Sequence, residues 1–167
     1  FNKTWKVFFS ALPKISKDFS SNKSLSGLSG FKSEILGVRF EEGKEFVASR
    51  SKDYYWYSPI LDEIFKDKVG DLVVIPSNQE QVKKVAAAIA KYKIPLTLRG
   101  GGTGNYGQCV PLEGGVIMIM TKLNRIIEFK EESVLTESGV RISRLDDAAR
   151  SIGLELLMYP STRLTAT

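Results

Sequence analysis

Residues 71–98, DLVVIPSNQEQVKKVAAAIAKYKIPLTL, leave the chain few choices of fold. The apolar, β-branched run after Asp71 stops at Pro76, as a short buried strand does. Ser77 and Glu80 stand at capping-box spacing, and Val82, Val85, Ala86, Ile89 and Ala90 then recur at helical spacing until KYKIP breaks the pattern. IPLTL, residues 94–98, reads as a second strand, and a helix of this length between two strands is what a parallel crossover needs. Residues 115–120, 125–129 and 133–138 predict three further strands. Ser143 with Asp146 predicts the start of a helix that carries Leu145, Ala148, Ala149 and Ile152 and ends at Gly153. The fold class expected is α+β, a small mixed sheet with flanking helices.

After the second strand comes LRGGGTGNYGQCVPLEGG, residues 98–115, in which residues 102–107 spell Gly-x-Gly-x-x-Gly. A dinucleotide fingerprint would follow the first strand and open a helix, but here QCVPLEGG follows, and its proline and glycines cannot start one. A P-loop needs Lys and then Ser or Thr after the last glycine, where Gln108 and Cys109 stand. The reading that survives is an anion nest. Consecutive glycines turn successive N–H groups toward one point and let a diphosphate approach without a Cβ in the way, while Arg99 offers a cation and Thr103 a hydroxyl.

Composition removes whole classes of chemistry. The chain contains no histidine, which excludes Ser-His and Cys-His nucleophiles and histidine metal ligation, and a single cysteine, Cys109, excludes an internal disulfide. Its expected role is packing. The net charge of +5 is spread along the chain, with 11 basic and 9 acidic residues in 1–67, so it does not mark a nucleic-acid face. No apolar run approaches the roughly 18 residues of a membrane span. The first residues are rich in lysine and lack acids before Asp18, as a transit peptide would, but they have no arginine. They are read as an amphipathic helix with Trp5, Phe8, Phe9 and Leu12 on one face. SSNKSLSGLSG, residues 20–30, reads as a flexible connector, and Tyr54, Tyr55, Trp56 and Tyr57 as a cluster closing over a neighbouring core.

Taken in order, VVIPSNQEQVKKVAAAIAKYKIPLTLRGGGTGNYGQCVPLEGGVIMIMTKLNRI and then ESGVRISRLDDAARSIGLELLMYPSTRLTAT resemble the flavin-binding domain of the FAD-linked oxidases, the vanillyl-alcohol oxidase or p-cresol methylhydroxylase type. The similarity runs furthest with the glycolate oxidase and D-lactate dehydrogenase branch. It implies that residues 69–167 are the first part of an FAD-binding domain, incomplete at Thr167, and that residues 1–68 are a helical N-terminal extension packed on it. It assigns the FAD diphosphate to Arg99, Gly100, Gly101, Gly102, Thr103 and Gly104, with Asn105 and Gly107 close by, and places Pro160, Ser161, Thr165 and Thr167 near the isoalloxazine or ribityl chain. Relatives with a histidyl tether carry the histidine where Thr103 stands, so the expected FAD is non-covalent.

The activity implied is an FAD-dependent dehydrogenase or oxidase acting on the CH–OH group of a 2-hydroxy acid, with a separate electron acceptor. Its expected location is cytoplasmic, with mitochondrial or membrane-peripheral alternatives, and a homodimer is left open. Two rivals stand beside it: a flavoenzyme of the UDP-N-acetylenolpyruvoylglucosamine reductase type, and a truncated flavin-binding subunit without turnover. The start at Phe1 and the stop at Thr167 suggest a fragment, so no catalytic base is named. Arg125, Arg141, Arg144 and Arg163 are candidates for a carboxylate, with Arg141 and Arg144 expected to be solvated.

Overall fold

The computed structural model describes residues 24–167, and the expected first helix, with Trp5, Phe8, Phe9 and Leu12, lies outside them. Four strands form the main sheet: β1 (Arg39–Glu41), β2 (Leu72–Ile75), β3 (Leu96–Arg99) and β4 (Val116–Ile119), in the order β1-β2-β4-β3. β4 pairs parallel with both β2 and β3, opposing Val116 to Leu72 and Leu96, while β1 runs antiparallel to β2 with Arg39 opposite Ile75. β2 and β4 are buried on both faces, which is why they read as continuous apolar runs rather than alternating ones. A separate hairpin, β5 (Ile126–Phe129) with β6 (Val134–Thr136), carries a register shift between Ile126 and Glu128.

Helices cover both faces. On one side Leu28, Phe31 and Ile35, from and just beyond α1 (Ser24–Glu34), and Val85, Ala88 and Ile89 of α4 (Gln79–Tyr92) pack against Leu72, Val74, Val116 and Met118. On the other side Val47 of α2 (Lys44–Arg50) packs against Val73, Ile117 and Ile119. Two short helices remain: α3 (Pro59–Phe65), capped by Ser58, and α5 (Ile142–Arg150).

The expected connector at 20–30 is a helix from Ser24 onward. Its small residues are what the packing requires, since a side chain at Gly30 would meet the Tyr92 ring at 2.8 Å. Burying Leu28, Phe31 and Ile35 is worth about 1.5–3 kcal/mol each, against about 1 kcal/mol lost at each helical glycine, so packing overrides propensity.

Two caps also differ from expectation. Asn78, not Ser77, caps α4: its Oδ1 accepts from the Gln81 N–H at 2.9 Å, and Gln81 Oε1 accepts from the Ser77 N–H at 2.7 Å, leaving Glu80 paired with Lys83. The buried stripe of α4 accordingly runs through Val85, Ala88 and Ile89, with Ala86 and Ala90 exposed. At α5, Ser143 does not cap. The N–H groups of Ile142 and Ser143 donate to the carbonyls of Ala166 and Arg163, so the end of the described chain closes the start of this helix.

The aromatic cluster divides as well. Tyr54, Tyr55 and Trp56 are exposed, Tyr54 and Tyr55 meeting edge-on with ring centroids 5.3 Å apart, and Tyr57 packs edge-on to Phe65 with ring centroids 5.2 Å apart.

Candidate functional site

Parallel strands end together at their carboxyl edge, and open α/β sheets bind ligands there. In this sheet that edge is Ile75, Ile119 and Arg99, with Arg39 of the antiparallel β1 beside them. All four line a cleft of about 630 Å³, within the range of roughly 300–1,000 Å³ usual for small-molecule sites. Phe46, Ile75 and Ile119 give it apolar wall. Its charged wall is cationic, from Arg39, Arg50, Arg99, Lys122, Arg141 and Arg144, and among the described residues no Asp or Glu lines it.

These cations are only partly neutralised. Arg39 pairs with Glu41 at 2.9 Å, Arg144 donates to the Asn124 carbonyl at 2.8 Å, and Arg50 lies 5.0 Å from the Phe46 ring centroid. A concave, partly apolar surface with one sign of charge concentrates its field on an incoming anion. The chemistry that fits is an anion with more than one charge, attached to something flat or apolar.

The glycine loop contributes in two different ways. Its first two glycines, Gly100 and Gly101, line the cleft. Thr165 and Thr167 close over them, the Gly101 N–H donating to Thr167 Oγ1 at 3.2 Å. A Cβ on Gly100 would run into Thr167 Oγ1, and one on Gly101 into the Thr165 carbonyl, so only glycine permits this approach.

From Gly102 onward the loop leaves the cleft lining and packs on residues 50–57. Gly102 has φ +67° and accepts from the Tyr54 N–H at 2.8 Å, while Gly107 and Cys109 donate to Asp53. Among the described residues, the N–H groups of Gly102, Thr103, Gly104 and Asn105 donate no hydrogen bond. These are four consecutive donors, the raw material of an anion nest.

Arg99 is 7% exposed and lies beneath this loop. Its Nη1 donates to the carbonyls of Arg50 at 3.1 Å and Lys52 at 2.7 Å, and burial pulls its pKa down, though a guanidinium stays charged in proteins. It therefore clamps backbone and lends positive field to the cleft at the same time. Cys109 is buried beside it, and burial pushes its thiol up, away from the reactive thiolate.

The other expected residues scatter. Pro160 and Ser161 are exposed and absent from the cleft lining. Arg125 pairs with Glu137 at 2.8 Å and Arg163 with Asp146 at 3.1 Å, whereas Arg141 and Arg144 line the cleft. Asp146 is fully buried, accepts from Arg150 as well, and is held below the usual carboxylate range chiefly by that hydrogen bond. Through Arg163 it fixes the turn that presents Thr165 and Thr167.

Sequence reasoning missed Arg39, Phe46 and Arg50, which precede the motif region and carry no motif of their own. It also missed Lys122, which the position of TKLN directly after a strand would have flagged under the carboxyl-edge rule.

Comparisons with known proteins agree with this geometry. A family model described as an FAD binding domain matches residues 70–167. The D-lactate dehydrogenase of Archaeoglobus fulgidus is 31% identical over 77% of this chain and 26% of its own length. The glycolate oxidase subunit GlcD of Bacillus subtilis is 28% identical over 54% of this chain and 19% of its own. The chain thus spans about a quarter or less of these relatives.

Among solved structures, an alkyldihydroxyacetonephosphate synthase superposes with a TM-score of 0.67 at 18% identity, covering 86% of this chain and 30% of that one. A p-cresol methylhydroxylase superposes at 0.66 and 19% identity, covering 88% and 28%. The fold is that of the p-cresol methylhydroxylase-type FAD-binding domain, and the cation-lined cleft with its glycine wall suits a diphosphate. With the family model spanning more than half of its length, the chain belongs to the FAD binding domain family, and FAD is its cofactor.

Proposed function

We propose that this chain is the diphosphate-holding part of an FAD-dependent oxidoreductase that oxidises the CH–OH group of a 2-hydroxy acid such as lactate or glycolate. The observation that carries the reading is the cleft at the carboxyl edge of the sheet, walled by Gly100 and Gly101 and lined, among the described residues, by six cations and no carboxylate. Bound FAD supplies the hydride acceptor, and the protein supplies binding, orientation and electrostatics.

Gly100 and Gly101 wall the cleft, the Gly102–Asn105 amides just beyond its lining would serve as donors to the diphosphate, Arg99 adds charge from below, and Thr165 and Thr167 fix the approach of the loop. Thr103, Gly104 and Asn105 act through backbone N–H, and Gly107 through its place in the loop. Arg141 and Arg144, which also line the cleft, add charge for the anion. Pro160 and Ser161 keep their assignment to the isoalloxazine side. Within this chain the FAD is held without a covalent bond, since the chain has no histidine and its one cysteine is buried.

The names of the relatives, a D-lactate dehydrogenase and a glycolate oxidase subunit, support the substrate class. A cytoplasmic location and a separate electron acceptor complete the proposal. Among the described residues no helix is long and apolar enough to cross a membrane.

The test is the flavin spectrum of the intact protein under anaerobic conditions. Bleaching by D-lactate or glycolate is expected, with all of the yellow colour released by acid precipitation. Bleaching by NADPH alone would replace this reading with the reductase type, and bound flavin that no donor bleaches would leave a binding subunit.

A further inference from the structure

Residues 50–57 precede the region matched by the family model, yet they form a bracket around the second half of the glycine loop. Ser51 is buried, its Oγ accepting from the Gly70 N–H at 3.0 Å and donating to the Val47 carbonyl at 2.8 Å, which ties the bracket to the approach to β2 and to α2. Arg99 reaches across to the carbonyls of Arg50 and Lys52, and the Tyr54 N–H donates to the Gly102 carbonyl.

At the centre stands Asp53, 7% exposed. Its Oδ2 accepts from the Gly107 N–H at 2.8 Å and its Oδ1 from the Cys109 N–H at 3.1 Å. The Asp53 N–H in turn donates to Tyr57 Oη at 2.8 Å, and the Tyr57 ring stands edge-on to Phe65, against which Gly107 lies without a Cβ to spare.

We infer that Asp53 is a positioning residue for the FAD diphosphate. Its carboxylate acts as an internal anion that takes the amides at 107 and 109, and so leaves those of Gly102 to Asn105 as the donors for the external one. A loop this rich in glycine has no preferred conformation of its own, and any ordering deferred until the ligand arrives is subtracted from binding. Asp53 supplies that order beforehand. Its own charge is turned onto two N–H groups and away from solvent, with the Arg99 guanidinium nearby. Two neighbours, Gly102 and Gly107, adopt positive φ, of +67° and +89°, so the bracket holds a backbone shape that other residues resist.

The inference rests on the flavin reading, and the two fail differently. In the intact protein, Asp53→Asn keeps the size of the side chain but turns an N–H donor toward one of the two loop amides. Tyr57→Phe removes only the hydroxyl behind Asp53 and serves where the first variant does not fold. FAD affinity is measured by titration of the apoprotein, and apoprotein melting is measured separately.

Asp53→Asn is expected to weaken FAD binding about tenfold, the size of one lost charge-assisted hydrogen bond, and Tyr57→Phe less, in the same direction. Lowered melting with FAD affinity within about twofold of wild type in both variants would overturn the inference, because Asp53 would then hold the fold and not the site. A wild-type protein that binds no FAD would overturn the flavin reading itself.

Discussion

Two buried aspartates flank the glycine loop, and they solve the same problem in opposite ways. Asp53, on the N-terminal side, is satisfied by backbone N–H dipoles at 2.8 and 3.1 Å. Asp146, on the C-terminal side, is paired through Oδ2 alone with two arginines, Arg150 at 3.0 Å and Arg163 at 3.1 Å, whose side chains are about half exposed, while its buried Oδ1 has no hydrogen-bond partner among the described residues. The first arrangement fixes backbone shape directly and is shielded from salt. The second fixes a turn through side chains that water and ions can reach. One flank of the loop is therefore held by buried backbone donors, and the other by side chains within reach of solvent.

The most severe way to break this contrast is Asp53→Ala, which strands two amides at once. At roughly 1.5–3 kcal/mol for each hydrogen bond to a charged group, about 3 kcal/mol or more of stability is expected to be lost in urea unfolding, independent of salt. Gly101→Ala strikes the other flank, driving a Cβ into the Thr165 carbonyl and displacing the turn, so FAD affinity is expected to fall about tenfold with a smaller change in melting. Titration of the apoprotein with FAD reads the affinity, and melting is followed separately.

Asp146→Asn sharpens the difference with pH. The folded-state pKa of Asp146 is lowered, so its contribution is full above the unfolded carboxylate range and is lost as pH falls through the folded value. Wild-type melting is expected to drop on acidification below about pH 4, and the variant to start lower and drop less. The opposite ranking would mean that Arg150 and Arg163 do not stabilise this carboxylate. The mildest expected effects are those of Arg141→Ala and Arg144→Ala. Stability should stay within about 0.5 kcal/mol, while FAD binding weakens a fewfold and loses part of its salt dependence.

How far the sequence could be read follows the range of the interactions involved. The strand–helix–strand unit was legible because apolar spacing along residues 71–98 reports a local period. The cap of α4 was misplaced by one position because Ser77 and Asn78 are both good capping residues, and only the path of Gln81 decides between them. α1 was hidden because its glycines look flexible until Tyr92 is brought beside them, 62 positions from Gly30.

The glycine loop itself was plain, and the structure adds where its amides go. Gly107 is committed to Asp53, a residue 54 positions away, and no pattern in the loop could have announced that. The cations split on the same principle. Arg141 and Arg144 could be named from the chain, but Arg39 and Arg50 reach the cleft only because β1 joins the sheet as an antiparallel edge.

The strand order has a consequence for how the protein is made. β4 lies between β2 and β3 but is synthesised after both, so a chain emerging from the ribosome holds β2 paired on one edge only and β3 without a partner strand until residue 119 arrives. The segment that must swing β4 back into that slot is residues 100–115, whose first two glycines wall the cleft. Its glycines thus serve assembly as well as binding. A loop shortened within residues 103–106 should delay refolding even where the finished sheet is intact, which stopped-flow fluorescence would show.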